Sequence, residues 1–348
     1  MQKSSPELRF TVSAPPHIRA DTSVPKIMYS VLASLVPAAA GAVYFFGPRV
    51  LWIILIAVAS AVLSEAAIQR LFGRPITVTD GSAAVTGVLL AFVLPPGVPL
   101  WMPAVGSVFA IFIGKQVFGG LGQNPLNPAL LGRAFLMASW PAHMTTDWLA
   151  PLGGTKSGID GVTGATPLNL LKETHRVFAD PGATPTQLAR AKQVLMQLHS
   201  AASHWHLFWG RCGGCLGETS VVLLLAGACF LLYKGYIGWR IPFSFVGTVF
   251  VLSWILGGVD GLFSGDPLFH IFSGGLVLGA FFMATDMVTT PVTQPGKLIF
   301  GAGCGAITVL IRLRGGYPEG VCYSILLMNA FTPLIDRWTR PTRFGATR

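Results

Sequence analysis

The chain has 348 residues, of which 52% are hydrophobic and 11% charged. Soluble domains carry about 25% charged residues, so this chain cannot cover its apolar surface with polar groups, and the bilayer is its natural solvent. The formal charge of +10 does not point to nucleic acid, because the basic residues lie in short intervals between apolar runs, where they fix orientation in a membrane.

Residues 1–26 are polar and lack an apolar core near the terminus, so a signal peptide is not expected. A hydrocarbon layer about 30 Å thick takes roughly 20 helical residues. Five apolar runs of suitable length follow, at about 27–46, 50–68, 82–99, 101–118 and 128–140. Glu65 and Lys115 fall near the ends of theirs, where a long side chain can reach the interface. Asp80, in "TVTDGSAAVTG", is placed to cap a helix. In "FGGLGQNPLNPALLGRAF" two Asn-Pro steps interrupt the apolar pattern. Proline removes a backbone donor and disfavours helix at the residue before it. Residues 119–128, with Asn124 and Asn127, therefore read either as a broken, inward-facing element or as a plain loop. Arg133 follows within an apolar run, placed either to hold an anionic group or to pair with a carbonyl.

A long polar interval, 141–218, separates these runs from the rest. It contains "GIDGVTGATPLNLLK", Gly158–Lys172, which by composition is an ordinary exposed turn leading into Thr166 and Pro167. Residues 180–206 read as an amphipathic surface helix, and the spacing of His199, His204 and His206 makes no metal face. Cys212 and Cys215 form "CGGC": a redox pair, half a metal site, or small residues in a tight turn. The second group of apolar runs is at about 219–233, 241–257, 268–285, 297–313 and 320–335, followed by a tail, 336–348. His270 reads as a hydrogen-bonded interhelical residue, and Arg312 as a side chain that reaches the interface. Asp286, in "FFMATDMVTTPVT", lies by a helix break and is a candidate for ion coupling.

With the N-terminus inside, fifteen of the 24 Lys and Arg residues fall on the inner side. Three, Arg49, Arg312 and Arg314, fall in short outer loops, and the rest lie in the long interval, which counts little. Both termini are thus expected inside and residues 141–218 outside. Arg312 and Arg314 fit this rule least well. The halves also resemble each other: "GKQVFGGLG" (Gly114–Gly122) is echoed by "GKLIFGAGCG" (Gly296–Gly305), and "LLGRAF" (Leu130–Phe135) by "LLMNAF" (Leu326–Phe331). Because each group has an odd number of runs, the halves would insert in opposite senses, an arrangement that builds sites from broken helices near the midplane. The expected fold is therefore all-α integral membrane, about ten transmembrane helices in two inverted five-helix repeats, over residues 27–140 and 219–335.

The sequence contains no Walker loop, dinucleotide fingerprint, HExxH or iron–sulfur cysteine set. Electrons, if handled, would need a carrier attached by other means. "DGVTGATPLNLLK" is similar to the flavin-attachment segment of the D subunit of Rnf electron-transport complexes, and of the related B subunit of the sodium-pumping NADH:quinone reductase. "GQNPLNPALLGRAFL", "GETS" (Gly217–Ser220) and "FFMATDMVTTPVT" resemble landmarks of that family in the same order, so the resemblance covers nearly the whole chain. The short N-terminal segment favours the Rnf side of the family; the "CGGC" pair is a departure to which no family role carries over.

The resemblance implies FMN joined by a phosphoester to Thr166 through a dedicated flavin transferase, with Asp160, Gly161, Gly164 and Ala165 as recognition context. It implies, more loosely, that Asn124, Asn127 and Arg133 support the flavin, and it leaves open a second, noncovalent flavin. The implied protein is a subunit of a ferredoxin:NAD-type oxidoreductase of the bacterial inner membrane, moving Na⁺ or H⁺ with partner subunits. A channel for a small polar solute is the alternative; it explains the repeat and the glycines but not the segment around Thr166.

Overall fold

The computed structural model describes residues 22–341 apart from 147, 150, 152–165, 219, 260 and 318. Among the described residues the regular elements are helical. The first group holds α1 (Val24–Phe46), α2 (Arg49–Leu71), α3 (Ser82–Phe92), α4 (Trp101–Ile111) with a π-helical turn over Phe112–Gln116, and α5 (Pro128–Ser139). The polar interval carries α6 (Pro141–Thr145), α7 (Pro167–Ala179), α8 (Pro185–Leu198) and α9 (Ala201–Trp209). The second group holds α10 (Val221–Tyr233), α11 (Arg240–Leu256), α12 (Pro267–Phe272) and α13 (Leu276–Leu278) with a second π-helical turn over Gly279–Met283. It ends with α14 (Gln294–Arg314) and α15 (Val321–Trp338).

Among the described residues, three helices, α1, α2 and α14, are long and apolar enough to cross a membrane. Their polarity is turned inside out: α2 buries Glu65 and Gln69 while exposing Leu51, Leu55 and Leu63. That is the pattern of a helix facing lipid, where apolar side chains cost nothing outside and polar ones need partners within.

Helix occupies every predicted apolar run, but some runs are interrupted. The run from 82 stops at Phe92, before Pro95 and Pro96. The run from 268 breaks after Phe272, where Gly274 takes a φ of 71°. The Asn-Pro region is non-helical, with Gly119, Gly120 and Gly122 at φ of 126°, 104° and 95°, values that favour glycine. It ends where the Asn127 side chain accepts from the Leu130 amide at 3.3 Å and Pro128 opens α5. The single surface helix expected over 180–206 is instead two, α8 and α9, because Ser200 starts a fresh cap by accepting from the Ser203 amide.

Within the first group α2 packs on α3 and α4, and α4 on α5; within the second, α11 packs on α12 and α14, and α14 on α15. Across the groups α1 meets α10 and α5 meets α15. Glycine lets α14 approach α11 closely: a Cβ at Gly305 would stand 2.8 Å from the Phe245 carbonyl oxygen. One core cluster, including Leu35, Leu90, Phe245, Phe300 and Ile325, joins both groups.

The expectation that Glu65, Lys115 and Arg312 reach the interface is corrected here. Lys115 Nζ lies 2.7 Å and 2.9 Å from the Glu65 oxygens and 2.6 Å from Ser82 Oγ, with the Lys115 and Glu65 side chains 2% and 1% exposed. Gln116 and Gln69 also donate to Glu65. A charge at this depth costs several kcal/mol unless paired, and the network supplies the pairing. Arg312 is buried too, donating to the carbonyls of His270 at 2.5 Å and Ser273 at 3.0 Å, so it caps the broken end of α12.

Candidate functional site

Thr166 is the N-cap of α7, its hydroxyl accepting from the Asn169 amide at 3.3 Å. Pro167 follows at the first helical position, where its missing N–H is no loss. The Thr166 side chain is buried, and it lines a cavity that reaches from the polar interval to the junction of the two helix groups. Arg133 and Met137 of α5 form one wall, and Cys322 and Tyr323 of α15 another. Trp148, Phe272, Tyr317, Glu218 and Glu319 complete the chemically distinctive lining. Tyr317 and Tyr323 stack with centroids 5.2 Å apart.

Charge in this cavity is ordered. The Arg133 guanidinium donates to Glu319 Oε2 and lies 3.7 Å from Cys215 Sγ. Glu319 Oε1 accepts from the Gly275 amide at 2.7 Å, and Glu218 Oε2 from the Cys215 amide at 3.2 Å. Both carboxylates stand outside the helical runs, Glu218 in the turn before α10 and Glu319 in the loop before α15. Burial, then the neighbouring Glu319, pushes the Glu218 carboxyl upward. Burial acts on Glu319 in the same sense, but the Arg133 guanidinium, the Gly275 amide and Arg312 together hold it below the usual carboxylate range. The two adjacent carboxyls are thus shifted in opposite directions, Glu319 towards the ionised form and Glu218 towards the protonated one.

The two cysteines of the pair sit beside the acidic cluster. Both thiols are free, and burial, then Glu218, pushes Cys212 up to about 12. A thiol so placed is a poor nucleophile. Cys215 Sγ and oxygens of Glu218 and Glu319 do lie within 4.8 Å of one another. Arg133 already supplies the positive charge there.

Asn124 and Asn127 are not brought to Thr166. They line a second cavity, with Asp286, Ser82, Lys115 and Thr285. Asn127 Nδ2 donates to the Met283 carbonyl at 3.2 Å, while Asn124 Oδ1 is buried without a protein partner. Asp286 accepts from the Val288 amide at 3.4 Å and the Thr289 hydroxyl at 3.3 Å. Of the expected site residues, Thr166 and Arg133 therefore share one cavity, and Asn124, Asn127 and Asp286 another. Asp160, Gly161, Gly164 and Ala165 lie outside the described residues. His270 is buried as expected, yet its Nδ1 has no protein partner.

Sequence reasoning missed Glu218, Glu319, Tyr317 and Tyr323. Both acids sit just outside apolar runs, where a carboxylate reads as solvated. The one available signal was their position, each opening a run of the second half on the same outer side as Thr166.

The first cavity suits an isoalloxazine ring: aromatic faces for stacking, a guanidinium and a proton-bearing carboxyl for the ring's polar edge, and a helix N-terminus for a phosphoester. The model of the NQR2, RnfD, RnfE family matches residues 11–345. The chain is 50% identical over 344 residues, 97% of each chain, to the D subunit of the proton-translocating ferredoxin:NAD(+) oxidoreductase complex of Clostridium ljungdahlii. It is 49% identical, over 98% of this chain and 97% of the other, to the D subunit of the Na(+)-translocating ferredoxin:NAD(+) oxidoreductase complex of Acetobacterium woodii. A third relative, the D subunit of the ion-translocating oxidoreductase complex of Stutzerimonas stutzeri, is 43% identical over 93% of each chain. With a family model spanning nearly its full length, this chain belongs to the NQR2, RnfD, RnfE family.

Proposed function

We propose that this chain is the D subunit of an ion-translocating ferredoxin:NAD⁺ oxidoreductase, carrying FMN on Thr166 through a phosphoester bond. The observation that carries the attachment is the placement of Thr166 at the start of α7, facing the cavity that holds Arg133. FMN bound there supplies one- and two-electron redox chemistry that amino-acid side chains lack. The residues of the chain do the rest. The dipole of α7, with the Leu168 amide in its first turn, favours a phosphate by about 0.3–1 kcal/mol. Trp148, Phe272, Tyr317 and Tyr323 exclude water and offer stacking faces. Glu218 Oε2 accepts from the Cys215 amide, so Oε1 is the atom that would hold a proton in this cavity. Asp160, Gly161, Gly164 and Ala165 are assigned as the sequence context that a flavin transferase recognises.

The ten helical runs are read as membrane spans in two inverted halves, over residues 27–140 and 219–335, with residues 1–26 and 336–348 inside and 141–218 outside. Two contacts support the inversion. Arg133 on α5 reaches Glu319, just before α15, while the Asn329 side chain on α15, with its amide oxygen and nitrogen exchanged, accepts from the Asn127 backbone N–H at 3.1 Å, just before α5. Arg133 and Asn329 occupy equivalent places in "LLGRAF" and "LLMNAF". The second cavity, on the opposite side of this junction, is assigned a second, noncovalent flavin, with Asn124, Asn127 and Asp286 as its polar contacts. Asp286 links charge there to movement of Na⁺ or H⁺. Other subunits of the complex deliver and remove electrons.

The test is a denaturing gel under ultraviolet light, with intact-mass spectrometry, on chain made with its flavin transferase. A fluorescent band and an added FMN mass, both lost in Thr166→Ala, are expected. A dark band and an unmodified mass in an active complex overturn the attachment. Solute flux through the isolated, flavin-free chain in liposomes would support the channel alternative.

A further inference from the structure

Among the described residues, three buried polar atoms without a protein partner belong to side chains lining one further cavity: His175 Nε2, His270 Nδ1 and Arg312 Nε. This cavity lies where α7 and α12 meet the C-terminal end of α14. His270 and Arg312 are 2% and 4% exposed, so bulk water does not serve them. Lys172, Arg176 and Arg314 also line the cavity, and no carboxylate does among the described residues. Lys172 Nζ donates to the carbonyls of Gly315 at 2.5 Å and Tyr317 at 2.9 Å, which leaves its third hydrogen free. Burial, then Arg176, lowers the Lys172 pKa; burial, then His199, lowers that of His175. Orphaned donors and crowded like charges are what a missing anion leaves behind.

A second feature says what kind of anion. An apolar groove adjoins the cavity and shares Leu313 and Arg314 with it. It runs between the C-terminal halves of α11 and α14, lined by Leu252, Leu256, Ile307 and Leu310. Leu256 and Leu310 are 52% and 62% exposed on the face turned to lipid. Since α14 is long enough to span the bilayer and ends at Arg314, the basic cavity stands at headgroup level and the groove at acyl-chain level. Arg312 and Arg314 are also the basic residues that fit the charge rule least well, and a lipid phosphate gives them a reason to be there.

We propose that cavity and groove together bind one anionic phospholipid, its phosphate among His175, His270 and Arg312 and an acyl chain between α11 and α14. A phosphodiester offers two charged oxygens to the Arg312 Nε hydrogen, the free Lys172 hydrogen and the two imidazoles. Arg176 and Arg314, both exposed, stand at the mouth. This site goes beyond the flavin reading and does not depend on it.

Native mass spectrometry of the full, flavin-loaded chain in detergent tests it, using dioleoyl phosphatidylglycerol, dioleoyl phosphatidylcholine and inorganic phosphate as probes. Phosphatidylglycerol should be retained in preference to phosphatidylcholine. Arg176→Gln and Arg314→Gln should each weaken that retention by about fivefold, the effect of one cation near a charged surface. Leu310→Trp, which fills the groove without changing charge, should weaken lipid retention but not phosphate binding. The melting temperatures of these surface variants serve as the fold control. Equal retention of the two lipids, no change in the variants, or no binding of either lipid (buried water then satisfying the orphaned atoms) overturns the proposal. So does inorganic phosphate that competes fully with the lipid in wild type while Leu310→Trp retains lipid normally, which makes the site one for a free anion.

Discussion

Arg133 on α5 and Glu319 before α15 form an ion pair whose side chains are 6% and 12% exposed, and it links the two helix groups beside the cavity that Thr166 faces. The pair is therefore both an internal fastening and part of the lining. A buried pair contributes little net stability over an apolar replacement, but removing one partner leaves an uncompensated charge.

Arg133→Leu alone should lower stability by about 3–5 kcal/mol, and Glu319→Leu by a similar amount, while the double variant should lose less than the sum. Thermal unfolding in detergent, followed by tryptophan fluorescence, measures all three. Additive losses would show that the two side chains do not depend on each other.

Thr166 has a cap role apart from any covalent one. Thr166→Ala should cost about 0.5–2 kcal/mol from loss of the N-cap. Thr166→Asp should restore most of that stability, since a carboxylate also accepts from the α7 amides, yet it should remain dark in the fluorescence gel. A fluorescent Thr166→Asp band would place the flavin on another residue.

The Glu65–Lys115 pair makes a parallel case inside the first group. Lys115→Met should destabilise by about 3–5 kcal/mol, because Glu65 is left buried with its cationic partner gone and only Gln69 and Gln116 to donate. Adding Glu65→Leu should recover much of that loss. If Lys115→Met melts like wild type, the network contributes nothing to holding α2, α3 and the first π-helical turn together.

These pairs mark the limit of what the sequence could show. Apolar runs located the helices because a bilayer demands long apolar stretches whatever they pack against. The break near residues 119–128 was legible because proline and glycine act on their own backbone, whereas the break at 273 lay inside a run read as continuous from 268 to 285. Pairing was not: Glu65 and Lys115 are 50 positions apart, and nothing in either local pattern says that they meet. Each therefore read as an end-of-helix charge reaching for the interface. Asn124 and Asn127 were grouped with Thr166 on resemblance alone, whereas the fold sends them to the other cavity. Glu218 and Glu319 escaped notice because burial by loops leaves no periodic trace.

Glu218 gives a pH dependence whose sign can be worked out. In the unfolded chain it titrates near its ordinary value of 4.5; in the folded chain burial and Glu319 raise it. Between those two values the folded state holds a proton that the unfolded chain has released. Stability is thus fully present below about 4.5 and falls as pH rises through the raised value. Glu319 contributes in the opposite sense, losing stability only as pH falls below its ordinary value, so the two do not overlap at neutral pH. Glu218→Gln keeps a neutral side chain that still accepts from the Cys215 amide, and it should flatten the slope. Melting temperature of wild type minus that of Glu218→Gln, followed from about pH 5 to about pH 9, should therefore decline. A difference that stays level across this range would mean that Glu218 is already ionised in the fold, and the proton assigned to Oε1 would have to be given up.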